Sequence, residues 1–245
     1  PDDLRNRIHL INSYDISKYS KQTEISNAIY EYEYSLEETA RNNWENNLIQ
    51  ALKNYVQANA KKISRTQIVK IGLSDLTLEA TGEVPGSVLN QYALDEKDGY
   101  LRVASTIEVN WWFMWWNNVN NDSFSQVTIL DNGLNTVGQI DNLGLGERIY
   151  AVRFVGENAY VVTFKQVDPF YIIDLSDPTN PKKAGELKIP GYSSYLHPLS
   201  DKMILGLGME DSKLKLALYD VSDPNNPQEK SKYYLDNTWS EALYN

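Results

Sequence analysis

Three side chains with useful chemistry recur at one register of a repeating pattern. When the strand-forming runs that open successive repeats are aligned, Arg153, His197 and Tyr244 fall at equivalent positions, 44 and 47 residues apart. A guanidinium, an imidazole and a phenol brought in on successive innermost strands would converge near one axis, joined by Asn90 and Gln91 from the preceding repeat. Such a set of donors and acceptors can bind a small polar ligand. It can equally fill a central channel with hydrogen-bonded side chains and water, and since most buried polar groups are simply satisfied, that reading comes first.

The second candidate is Trp111-Trp112-Phe113-Met114-Trp115-Trp116. Five aromatic rings at about 150–250 Å² each amount to roughly 750–1,250 Å², more than the roughly 300–600 Å² of the largest patch on an ordinary monomer. At least half of these rings are therefore expected to be covered by the helices, by another part of the molecule or by another copy. Rings left outside would form a stacking platform for sugar rings or a partner surface, beside the sequon Asn121-Asp122-Ser123.

Other chemistries find little support. With no Cys and only His9 and His197, thiolate sites and disulfides are excluded and a zinc site would need several carboxylates, so no metal and no cofactor is expected. Asp131 to Asn135 and Asp95 to Gly99 lack the ligand spacing of a calcium loop and read as turns. No Ser sits in a Gly-x-Ser-x-Gly elbow, Gly144-Leu145-Gly146 is too short to cradle phosphate, and Glu147 and Glu157 could in principle form a hydrolytic carboxylate pair, though the sequence gives no separation between them.

The elements that must position these groups are announced by a repeated phrase, Asp-Leu-Ser-Asp-Pro-Thr-Asn-Pro at 174–181 and Asp-Val-Ser-Asp-Pro-Asn-Asn-Pro at 220–227. Its 46-residue spacing suits a propeller blade. Each copy follows an apolar run and precedes a polar one, so it reads as the turn between a third and an outer strand. All 13 Gly lie at Gly72 or beyond and eight of nine Pro beyond residue 84, whereas residues 1–66 hold nine acids and nine bases. A helical N-terminal part thus precedes a turn-rich β region that carries the whole net charge of −10, a poor match for nucleic acid or an anionic membrane. No run reaches the length of a membrane span.

Helices are expected from Pro1-Asp2-Asp3 with Leu4, Ile8 and Ile11 on one face, over about 18–34, and from a capping box at Ser35 to Glu38. The last repeats Leu36, Ala40, Trp44, Leu48, Ala51, Leu52 and Tyr55, with Trp44, Leu48, Leu52 and Tyr55 as its core. Strands over 67–73 and 76–84 precede three four-stranded units, at 88–94, 100–106, 126–130 and 136–140; 149–155, 159–164, 170–174 and 183–189; and 192–199, 203–209, 214–220 and 229–235. Residues 239–244 read as the start of another strand.

Residues 80–92, 146–154, 159–198 and 220–245 closely resemble the prokaryotic family of secreted proteins with a C-terminal β-propeller domain distantly related to WD40 repeats. The resemblance covers about residues 63–245. The helices of 1–63 resemble an insertion within an early blade of archaeal-looking members, leaving 64–245 as blades of an open propeller. It implies a propeller completed by blades outside this chain, and a secreted or cell-envelope location, and names no catalytic residue. The chain opens without Met and closes within an apparent strand, so it is expected to be part of a longer protein whose targeting signals it does not report. The expected function is a non-enzymatic binding or scaffold module for a protein or glycan partner, with Trp111, Trp112, Trp115, Trp116, Asn90, Gln91, Arg153, His197 and Tyr244 as ligand-contact candidates. Unpaired blade edges are expected to drive self-association. The competing class is a glycan- or peptide-acting hydrolase with its site at the axis.

Overall fold

The computed structural model describes residues 1–108, 123–164, 168–235 and 240–243. By contact the chain divides into two compact units, Pro1–Ala58 and Asn59–Asn245.

The first unit is helical. α1 (Asp2–Ser13) buries Leu4 and Ile11, and α2 (Lys18–Tyr34) buries Ala28 between them, with Tyr32 meeting Trp44 of α3 (Glu38–Ile63) at 5.3 Å between rings. Two sequence expectations need correction. Ser35 does not head a capping box: it is the C-cap of α2 and its hydroxyl donates to the Tyr32 carbonyl. The cap that forms at the start of α2 is Ser17, whose oxygen accepts from the Ser20 amide. Tyr55 is 63% exposed, while Val56 and Ala60 are buried. The inward face runs from Leu52 through Val56 to Ala60, and Tyr55 lies about 100° round the helix from Val56, on its exposed side.

The second unit begins with a two-stranded antiparallel sheet of β1 (Arg65–Ile71) and β2 (Leu78–Pro85). Three four-stranded antiparallel sheets follow. They are β3 (Leu94–Lys97), β4 (Tyr100–Ile107), β5 (Phe124–Leu130) and β6 (Thr136–Leu143); β7 (Arg148–Val155), β8 (Asn158–Phe164), β9 (Asp168–Asp174) and β10 (Lys182–Ile189); and β11 (Tyr192–Ser200), β12 (Met203–Glu210), β13 (Lys213–Asp220) and β14 (Gln228–Leu235). In each sheet the strands are paired in sequence order, the up-and-down meander of a propeller blade. The expected repeat of the two phrase-bearing sheets is therefore observed.

The first sheet departs from expectation at its start. Residues 88–94 are not a strand: Ser87 makes a single bridge to Thr106, a 3₁₀ turn occupies Gln91–Ala93, and β3 begins only at Leu94. The cause is local, because the Asn90 side chain accepts the Tyr92 amide and caps the turn. The described part of the C-terminal segment likewise forms a 3₁₀ turn, Glu241–Leu243, and not a strand.

The core lies between sheets. Val84 of β2 packs with Val103 and Leu130; Val127 and Ile129 pack with Val161, Tyr171 and Ile173; Phe170 and Ile172 pack with Ala217 and Tyr219. Successive strands bury both faces, which explains their nearly continuous apolar runs. Tyr160, Phe170 and Tyr219 stack at 5.8 and 4.8 Å, and each such buried ring contributes about 1.5–3 kcal/mol against the entropy of ordering it.

The repeated phrase is a self-bonded turn that reaches the neighbouring sheet. Asp174 and Asp220 accept the amides of Ser176 and Ser222, and Asp177 and Asp223 accept those of Thr179 and Asn225. The carbonyl of Pro178 then fills the place of a side chain on Gly138 in β6, with Pro181 beside it; Pro224 and Pro227 do the same at Gly185 in β10. Both glycines directly follow a bulge in the outer strand, so each blade is seated on the outer strand of the one before.

Candidate functional site

β7 and β11, the first strands of their sheets, lie side by side. Their opening residues, together with 87–90, Thr106, Glu108 and Leu243, line a cavity of about 530 Å³. Its frame is fixed from three directions. Gly86, at φ 85°, passes so close to the Thr106 carbonyl that no side chain fits; Ser87 and Thr106 exchange backbone hydrogen bonds; and the Thr106 hydroxyl accepts the Ile149 amide at 3.0 Å, tying the start of β7 to the end of β4.

The wall of this cavity is aromatic and cationic. Tyr150 and Tyr192 stand 5.0 Å apart at 59°, and Phe164 closes the trio at 5.4 and 4.9 Å. The Arg148 guanidinium lies 5.4 Å from the Tyr150 ring centre and donates to its hydroxyl at 3.4 Å. That hydrogen bond, the phenol's charge and the Glu108 carboxylate raise the Arg148 pKa, so it stays cationic throughout the physiological range. Among the described residues no carboxylate comes within 4.0 Å of it. Ser87, Asn90 and Ser194 add polar groups to the lining, and Tyr192 also borders a neighbouring cavity of about 360 Å³ with Met209 and Glu210.

Five residues farther along β7, Arg153 is held between two tyrosines, 3.9 Å from the Tyr92 ring centre and 5.4 Å from that of Tyr195. Its Nε donates to the Leu196 carbonyl at 2.9 Å. His197 is exposed, and its Nδ1 lies 3.1 Å from the Tyr195 hydroxyl. Thus Arg153, His197 and the turn containing Asn90 and Gln91 are brought together, with Tyr92 and Tyr195 as the connecting rings. Asn90 spends its carbonyl oxygen on the turn cap and also lines the cavity. Tyr244, Trp111, Trp112, Phe113, Trp115, Trp116, Asn121 and Asp122 lie outside the described residues.

The remaining candidates have local partners. Glu147 accepts from the Thr163 hydroxyl and Glu157 pairs with Lys97, both at 2.5 Å. The Asp131 carboxylate accepts the amides of Gly133 and Asn135 within its own turn, and Asp95 is bonded by Arg102. No cluster of three or more potential metal ligands occurs among the described residues.

Arg148, Tyr150, Tyr192, Tyr92 and Tyr195 escaped the sequence reading. The alignment that matches Arg153 with His197 also matches Arg148 with Tyr192 and Tyr150 with Ser194. That register was the available signal for the cavity wall. Tyr92 gave none, because its place depends on the capped turn.

Four-strand meanders seated one on the next, with their first strands lining a shared cavity, define a β-propeller. The chain belongs to the beta propeller domain family, whose model matches residues 7–245. It is 44% identical to an uncharacterised protein of Archaeoglobus fulgidus over 245 residues, covering 100% of this chain and 37% of that protein. It is 42% identical to an uncharacterised protein of Methanocaldococcus jannaschii over 245 residues, covering 99% of this chain and 38% of that one. The chain therefore spans less than two fifths of these relatives. No described helix is long and apolar enough to cross a membrane.

Proposed function

We propose that the chain is a non-enzymatic binding module that takes a short glycan in the cavity at the openings of β7 and β11. The observation that carries this reading is the pairing of the Tyr150 and Tyr192 rings with a cationic Arg148 that, among the described residues, has no carboxylate within ion-pair distance. Tyrosine faces receive the C–H surface of a sugar, while the guanidinium, serine hydroxyls and Asn90 provide directional hydrogen bonds. A volume of about 530 Å³ is within the ordinary range of ligand pockets, roughly 300–1,000 Å³.

The hydrolase alternative needs two carboxyl groups within about 10 Å of each other across the bond to be cut. Among the described lining residues Glu108 is the single carboxylate, which favours binding over hydrolysis. Attachment of a protein partner, a secreted or envelope location, kinship with WD40 repeats, and the helices as an insertion within an early blade belong to the same reading and rest on the family resemblance. Self-association is supported by the edge of β1, which among described strands pairs with β2 alone. Titration with a panel of disaccharides, repeated on Tyr192→Ala, tests the reading: saccharide binding abolished by the substitution is expected.

A further inference from the structure

Two turns of this chain place a leucine in the left-handed region, Leu134 at φ 61° between β5 and β6 and Leu76 at φ 56° between β1 and β2. Both are the last residue but one of their turn, in which Asp131 bonds the Asn135 carbonyl and Gly72 that of Thr77. That backbone region is strained for a residue with a β-carbon and persists where surrounding structure requires it. For Leu134 the requirement is visible. It is 6% exposed, packed with Val84 and Leu130, and its carbonyl and Cβ fill the notch at Gly82 in β2. Leu76 has the same conformation and the same place in its hairpin, yet is 78% exposed.

The surface around it continues the parallel. Ile71 closes β1 as Leu130 closes β5, by register with the start of the outer strand. Leu130 is fully buried, whereas Ile71 is 52% exposed, with Val69, Leu73 and Leu78 exposed around it. We propose that Leu76 is a docking peg, and the face around it the seat, for a propeller sheet formed by polypeptide outside residues 1–245, whose outer strand carries a glycine at the position of Gly82. The relatives' length allows such sheets, since the chain covers only 37% and 38% of them.

A second copy of this chain does not fit as it stands. Counting from the bulge, Ala80 and Gly82 of β2 correspond to Ser231 and Tyr233 of β14. Ser231 is close to Ala80 in size, but Tyr233 fills the notch position. The single substitution Tyr233→Gly should therefore make β14 receptive to Leu76 of another copy. Tyr233 is 63% exposed, so the fold is expected to survive, which circular dichroism checks.

Sedimentation equilibrium on the 245-residue chain provides the test, with the chain itself as probe. Tyr233→Gly should tighten self-association at least tenfold, Tyr233→Gly with Leu76→Asp should return it to the wild-type value, and Leu76→Asp alone should leave the wild-type constant unchanged. A gain that survives Leu76→Asp, or no gain in a folded Tyr233→Gly chain, overturns the proposal. Wild-type association broken by Leu76→Asp would also overturn it, by showing that a second copy occupies the face without the glycine.

Discussion

The carbonyl oxygen of Pro178 occupies the space that a side chain on Gly138 would need, and Pro224 stands in the same relation to Gly185. The repeated phrase is thus half of a two-part latch, whose other half is a glycine 40 residues upstream of Pro178 and 39 upstream of Pro224, in the outer strand of the preceding blade. Gly138→Ala and Gly185→Ala are each expected to destabilise the protein by about 1–3 kcal/mol through overpacking against backbone. Thermal unfolding would show this as about 2–4 °C per kcal/mol. Unchanged midpoints in both variants would remove the latch.

The sequence disclosed the turns of this latch and not their receptors. Asp-Pro and Asn-Pro pairs specify a local conformation through hydrogen bonds two residues away, so the two phrases and the eight strands around them were legible. Gly138 and Gly185 depend on a neighbouring sheet's approach, which no local pattern records. The same distinction separates Arg153 and His197, found by counting strand positions, from Tyr92, positioned by a capped turn that replaced an expected strand. Leu76 looked like an ordinary residue at the start of a strand until its φ and exposure could be compared with those of Leu134.

A buried charge cluster closes the last sheet. Lys215, with 3% of its side chain exposed, donates to the Pro190 carbonyl, forms ion pairs at 2.8 Å with both Glu210 and Glu229, and shares Glu210 with Lys232. Lys215→Met would leave two carboxylates facing each other with only Lys232 to compensate. A loss of about 3–5 kcal/mol in denaturant unfolding is expected, as for removing one partner of a buried pair. A loss below ~1 kcal/mol, the scale of an exposed pair, would contradict it.

Acid should weaken the turns. Hydrogen bonds from the Ser222 hydroxyl and amide and from Lys230 hold Asp220 at about 2, below the usual 3.8, and Asp174 and Asp177 are lowered by their Ser176 and Thr179 bonds. Because folding lowers these values, the unfolded chain binds more protons in acid, so the contribution is complete above about pH 4 and is lost as pH falls toward 2. Asp220→Asn should flatten the stability profile across that window. A variant profile parallel to the wild type would show that Asp220 is not a source of the slope.

Arg153 is the candidate whose binding and structural roles can be separated. Lys in its place keeps the charge but loses the planar contact with Tyr92 and Tyr195 and the Nε bond to Leu196. Arg153→Lys is expected to cost about 0.5–2 kcal/mol of stability while leaving saccharide affinity in the cavity unaltered. Affinity lost at unchanged stability would move the site from the cavity to Arg153.

Titration of the folded chain with neutral and acidic disaccharides, followed by saturation-transfer NMR, tests the central claim most directly. At least one sugar should receive saturation from the protein, Tyr192→Ala and Arg148→Ala should each abolish the transfer, and the anomeric signals should stay unchanged overnight because nothing is hydrolysed. No transfer to any sugar, transfer that survives both substitutions, or the growth of new reducing-end signals would contradict the account.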